Sequence, residues 1–343
     1  MVDKLDFPFS KPDNHGVVRQ VSDGVFWLRM PLPFALDHIN LWLLRDGTEW
    51  LVVDAGLNST QIRHEWQKIF SEVLGRGKIR RLLCTHFHPD HIGLASWLIK
   101  ETGCDWYIAE DEWRTGKRVF DDIKAEFVAR QNSFYAENGI GKSWLDALAK
   151  RGNAYRQRVS GIDDRYFLLR DGQEISIDGA KWRVITARGH APEQSCLYCA
   201  EKSLLISGDH ILPSITPNIT LYQPDAAIDP LTQYLDSFSG FRDIEEDVLV
   251  LPSHGLPFRG LGQRIQEICE HHGERLDSLL QACHEPRTAG ELIPVLFRRQ
   301  LDVHQMSFAA GECLAHLEYL YRQGRIGRQR QKDRLVRYRT AAS

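Results

Sequence analysis

Residues 85–91 read T-H-F-H-P-D-H, three imidazoles and a carboxylate placed directly after the apolar run Leu82-Leu83-Cys84. Neutral imidazole and carboxylate are the donors that Zn²⁺ and other borderline divalent cations prefer. In extended chain His86 and His88 project the same way, so a tight loop can bring both onto one ion. Pro89 ends the strand and turns the chain before Asp90 and His91. The segment presents two donor pairs, enough to begin two adjacent metal sites.

The elements around this segment must carry it to the rest of a site. Residues 78–84 read as the strand that delivers it, and residues 91–102 as one helix stopped by Gly103. Upstream, residues 25–29 and 39–44 are strand-like, and Asp46-Gly47 turns the chain into the strand at 50–53. Asn58-Ser59-Thr60 offers N-caps for a helix over 60–74, ended by Gly75 and Gly77. Downstream, strands over 173–177 and 181–186 are joined by Asp178-Gly179. A proline-rich loop follows at 211–218, then a helix over 230–239 and a strand over 247–251. Strands alternating with helices, with hairpins mixed in, indicate an α/β layered domain.

Residues 109–160 interrupt that rhythm with helical sequence. Phe120, Ile123, Phe127 and Phe134 repeat at helical spacing, as do Leu145, Leu148, Tyr155 and Val159. Arginines and lysines occupy the other faces. These aromatics can pack two helices onto the body, or a few can form an apolar slot for an acyl chain with arginines at its rim. After residue 261 a long helix is followed by a capping box at Thr288–Glu291, a helix over 308–322 and a strand-like stretch at 335–338.

Five ordered motifs carry a resemblance to the metallo-β-lactamase-fold hydrolases. They are Val53-Asp54-Ala55-Gly56, the H-x-H-x-D-H of residues 86–91, Arg188-Gly189-His190, Ser207-Gly208-Asp209 and Ser253-His254-Gly255. The resemblance implies an αββα sandwich with metals at one edge, a helical insertion across the cleft mouth and a C-terminal winged-helix-like domain. Domain boundaries follow at 1–261, with the insertion at about 109–160, and 262–343. It implies one metal on His86, His88 and His190, and another on Asp90, His91 and His254. Asp209 would bridge them and leave room for an activated water, with Asp54 in support. Two Zn²⁺ are the implied cofactors, with Mn²⁺ or Fe²⁺ as other divalent choices, and Asp90 is the catalytic candidate that orients the nucleophile. His88 stands where flavodiiron-type relatives have an acid, and Asp209 where many β-lactamases have cysteine, which argues against redox chemistry and antibiotic hydrolysis. The tyrosine that lactonases often carry after the bridging aspartate is missing, and Glu193 stands in place of an expected glycine.

Composition narrows the classes further. In 343 residues, 43% are hydrophobic and 26% charged, and the net charge of −3 gives no global attraction to nucleic acid or anionic membrane. No apolar run reaches membrane-spanning length, and the start lacks a signal-peptide core. Seven cysteines at irregular spacing argue against a disulfide framework and for a cytoplasmic setting. Cys196 and Cys199 lie three apart on a strand, on opposite faces, so they do not share a metal. His38, His64 and His210 have no place in the ligand pattern. The leading expectation is a dinuclear zinc hydrolase of thioesters or esters, acting on a small-molecule acyl substrate of the acyl-coenzyme A or glutathione class. An endoribonuclease of the lactamase-β-like type is the alternative, resting on eight cations in residues 322–339. A non-catalytic regulator is the third, and a homodimer through the C-terminal helices is open.

Overall fold

The computed structural model describes residues 5–12, 14–75, 78–222 and 228–341; Gly77 and the extreme N-terminus, both used in the sequence reading, lie outside them. Two compact units are interleaved along the chain. The first comprises Met1–Asp121, Ala154–Pro217 and Ser237–Ile265, and the second Asp122–Asn153, Asn218–Asp236 and Gln266–Ser343.

The first unit is built on two sheets. Seven strands pair in sequence order: β1 (Val18–Ser22), β2 (Val25–Pro31), β3 (His38–Asp46), β4 (Glu49–Val53), β5 (Ile79–Leu83), β6 (Asp105–Ala109) and β7 (Phe167–Leu169). The other sheet has the order β12-β11-β10-β9-β8, from β8 (Glu174–Ile177), β9 (Ala180–Ala187), β10 (Gln194–Cys199), β11 (Leu204–Gly208) and β12 (Leu249–Pro252). Alternation decides which side chains meet. Trp27, Trp42, Leu44 and Val53 pack with Trp182, Leu197, Ile206 and Leu251 between the sheets. Their neighbours Leu28, Leu41, Leu43 and Val52 face outward against Ile62, Trp66 and Leu98. Each such side chain removed from water contributes roughly 1.5–3 kcal/mol. Cys199 belongs to the inter-sheet core, whereas the Cys196 thiol turns the other way and donates to Ser207 O (3.3 Å).

Helices cover the outward face. α1 (Thr60–Ile69) starts where Ser59 Oγ accepts from the Ile62 amide, and Trp66 on its buried face donates to Ala55 O (2.9 Å), next to Asp54. The single helix expected over 91–102 is two, α2 (Pro89–Ile92) and α3 (Ala95–Thr102). Gly93 explains the break: a Cβ there would lie 2.2 Å from Pro89 O and 2.7 Å from Gly56 O. The Leu94 amide leaves the helical pattern to donate to Gly56 O (2.9 Å).

Residues 109–160 form four helices rather than two: α4 (Glu110–Asp121), α5 (Glu126–Glu137), α6 (Lys142–Arg151) and α7 (Ala154–Arg158). The aromatic stripe read from spacing is therefore cut. Phe120 lies under the Arg156 guanidinium, Phe127 packs on Tyr222, and Ile123, between helices, is 76% exposed. In the second unit α5 and α6 belong with α8 (Pro230–Ser237), α9 (Leu261–Ala282) from Gln266 onward, α10 (Ala289–Leu296), α11 (Val303–Arg322) and the hairpin of β13 (Ile326–Arg330) and β14 (Val336–Thr340). The Thr288–Glu291 capping box is present, and α11 begins earlier than the sequence reading because Asp302 and Gln305 form a second one.

Candidate metal centre

One edge of the sandwich collects every candidate side chain. β4 runs parallel to β5, and β11 parallel to β12, while β9 and β11 both pair antiparallel to β10 and so share a direction. Asp54 and residues 85–91 follow β4 and β5, and His190, Asp209 and His254 follow β9, β11 and β12. Backbone bonds fasten these loops together: Ser195 N–H donates to Thr85 O (2.9 Å), Ser253 N–H to Gly208 O (3.0 Å) and Asn40 N–H to Ser253 O (2.7 Å).

His86, His88, His190 and Asp209 form one group and Asp90, His91 and His254 another, the donor atoms within each lying no more than 4.8 Å apart. In the first, His86 Nε2 and His88 Nδ1 meet at 2.9 Å, and His190 Nε2 lies 3.5 Å from Asp209 Oδ2. In the second, His254 Nε2 lies 3.4 Å and His91 Nε2 3.8 Å from Asp90 Oδ2. Asp209 Oδ1 is 3.4 Å from both His91 Nε2 and His254 Nε2. Asp209 thus turns one oxygen to each group.

The turns that aim these donors are specific. Gly208 (φ 56°) brings Asp209 round where a Cβ would lie 2.7 Å from Gln194 Nε2. Asp54 adopts φ 64°, rare for a side-chain-bearing residue and costing about 1–3 kcal/mol. That conformation lets its carboxylate accept from Thr85 N (2.7 Å) and Thr85 Oγ1 while lying 2.8 Å from His91 Nδ1. Asp54 is thereby the acceptor that points His91 Nε2 into the site. His254 is aimed likewise, by donating from Nδ1 to His38 O (2.7 Å).

Two further residues hold the His254 loop and carry no motif in the sequence. His38 Nε2 accepts from Gly255 N–H (2.8 Å), which leaves its Nδ1 proton for Asp37 (2.6 Å). Asn40 Nδ2 donates to both Pro252 O and Gly255 O (2.9 Å each). His38 therefore supports the site although the ligand pattern gave it no role. His210 stays outside both groups: it lies against Phe238 and Phe241, and its Nε2 is 3.2 Å from Ser237 Oγ.

The electrostatics of the cluster favour positive charge at its centre. Burial, with the neighbouring His190 ring, pushes His88 down to about 3, so it is a neutral donor. For His254, burial works downward, yet Asp209 and Asp90 outweigh it and raise the group to about 10. Asp90 is depressed to about 2, against the opposing effect of burial, by His91 and His254. Two acids buried among imidazoles favour positive charge at the cluster, which a divalent cation would supply. His91 Nε2 and Asp209 Oδ1 are both buried and make no hydrogen bond. Imidazole and carboxylate donors converging in this way fit divalent metal binding.

Comparison with known proteins agrees. Residues 35–254 match the profile of the metallo-beta-lactamase superfamily. The chain belongs to that superfamily. Residues 276–341 match its metallo-beta-lactamase-like, C-terminal domain. The crystal structure of a beta-lactamase domain protein from Burkholderia ambifaria is similar at 39% identity and TM-score 0.90, with 98% of each chain covered. The probable metallo-hydrolase YqjP of Bacillus subtilis is 24% identical over 87% of this chain and 92% of its own. Acyl-coenzyme A thioesterase MBLAC2 of Bos taurus is 24% identical over 56% of this chain and 64% of its own. This metallo-beta-lactamase-fold protein is a hydrolase. Among its described residues no helix is long and apolar enough to cross a membrane.

Proposed function

We propose that the chain is a dinuclear zinc hydrolase of acyl thioesters, of the acyl-coenzyme A or glutathione class. The observation that carries the reading is Asp209, which offers Oδ2 to the His190 side and Oδ1 to the His91 and His254 side. His86, His88 and His190 would hold one ion, Asp90, His91 and His254 the other, with Asp209 shared. Bound divalent ions lower the pKa of water toward 7 and polarise a carbonyl.

The side chains supply the rest. Asp90, whose side chain is 21% exposed and the most open of the cluster's carboxylates, would take the attacking water's proton on a carboxylate oxygen and return it to the departing thiolate. Asp54 and His38 O hold His91 and His254 through their Nδ1 atoms, which leaves Nε2 as the atom that would bind an ion. The thioester class draws support from the thioesterase among the relatives, and seven free cysteines accord with a reducing, cytoplasmic setting.

Five of the eight cations behind the nucleic-acid reading have acidic partners. Arg322 and Arg328 pair with Glu318 (2.8 and 2.7 Å), Arg325 with Asp277 (3.4 Å), Arg330 with Glu137 and Arg337 with Asp333 (2.7 Å). Zinc-loaded protein is expected to cleave acyl thioesters and to leave single-stranded RNA unbound at low salt. An untouched thioester panel, or equal turnover by His88→Ala, refutes the reading.

A further inference from the structure

Glu112 lies on the first turn of α4, fully buried, and is no part of either donor group. Its two oxygens accept backbone N–H groups from two different loops: Phe87 donates to Oε2 (2.8 Å) and Glu193 to Oε1 (2.5 Å). Phe87 is the residue between His86 and His88, and Glu193 lies three positions after His190. The next peptide along is held as well, where the Tyr155 hydroxyl of α7 donates to Phe87 O (2.8 Å). α4 is pressed close at this point: a Cβ on Gly116 would lie 3.0 Å from the Tyr155 hydroxyl and 3.4 Å from Phe87 Cβ. Glu193 adds a reciprocal link, its carboxylate accepting from Asp111 N (3.2 Å) and from the Arg188 guanidinium (3.2 Å).

We propose that Glu112 is a positioning residue for the metal centre, with Tyr155 as its partner: together they fix the His86-Phe87-His88 segment against the His190 loop. This rests on the reading of the cluster as a metal centre. Three imidazoles for one ion come from two loops distant in the chain, and a carboxylate is the smallest group with two acceptors to span them. Glutamine at this position would accept one N–H and present an N–H₂ group to the other. The centre of Asp90, His91 and His254 is aimed by Asp54 and His38 instead, so it should be untouched. Tyr155, placed by spacing in an apolar helical stripe, acts in this clamp.

The test loads wild type, Glu112→Gln and Tyr155→Phe with zinc and follows release to a competing chromophoric chelator. Visible spectra of the cobalt-substituted proteins report the geometry directly. Glu112→Gln is expected to weaken one of the two ions about 10–100-fold, the range for outer partners of metal ligands, and to alter the cobalt bands. Tyr155→Phe should act in the same direction with smaller size, and the second ion should keep its wild-type affinity. Wild-type release curves and spectra in both variants overturn the proposal, whatever their melting temperatures. If Glu112→Gln does not fold, Tyr155→Phe alone decides, since it removes one hydroxyl. Wild type that takes up no metal refutes the underlying reading, an outcome distinct from variants that merely match it.

Discussion

Among the described residues two histidine clusters are buried, one in each unit, and their chemistry diverges. In the second unit His316 Nδ1 donates to Glu312 O (2.8 Å), which leaves its Nε2 to accept from His272 Nδ1 (3.0 Å). The His316 Nε2 lone pair is therefore consumed inside the pair, and the Glu312 carboxylate is taken by Arg275 (2.9 Å). At the sheet edge the Nδ1 atoms of His91 and His254 are occupied by Asp54 and His38 O, so their Nε2 atoms converge on Asp209 and Asp90. Burial and imidazole are common to both clusters. What separates them is outward-facing acceptors that aim the rings inward, together with two acids in the middle.

That contrast can be broken most forcefully at its centre. Asp209→Asn replaces one of two shared oxygens by an amide donor and should lower hydrolysis by more than about 100-fold, beyond the range for outer partners. Steady-state turnover of the reconstituted variant checks this. Asp54→Asn leaves every donor in place and loosens the aim of His91 and the hold on Thr85, so about 10–100-fold weaker zinc binding is expected, measured by chelator competition. Equal losses from the two changes would erase the distinction between donor and aiming group.

The smallest effect lies in the second unit and is read as stability against pH. Burial pushes His316 down to about 4 and His272 to about 2, below the unfolded value of 6.5. The unfolded chain then binds more protons between 6.5 and those values, so stability rises with pH there and is lost as pH falls below 6.5. The loss should reach about 2 kcal/mol per histidine at pH 5. Urea unfolding at pH 7 and 5 should show a shallower loss for His316→Gln, which keeps polar capacity but does not titrate. An unchanged pH slope would show that the pair is not the buried neutral unit described.

Much of the donor set was legible because each donor sits beside a strand end in a short motif, and residues 85–91 alone announce the chemistry. Asp54 was readable as a supporting residue for the same reason. His38, Asn40 and Glu112 were not, since their partners are backbone groups: His254 bonds to the carbonyl of a residue 216 positions away. No spacing rule reports a backbone acceptor at that separation. Sheet and helix order followed from periodicity, whereas the break at Gly93 depends on Gly56 O, a contact made only after folding. The acids that pair with cations of residues 322–339, among them Glu318, Asp277 and Glu137, were hidden for a related reason, since they lie outside the run that the sequence displays.

The central claim is that the sheet edge holds two divalent cations sharing Asp209. Elemental mass spectrometry of protein dialysed after zinc reconstitution tests it most directly. About two zinc per chain, falling to one or fewer in Asp209→Asn, is the predicted result. Wild type that retains no zinc, or an Asp209→Asn variant that retains two, would contradict it.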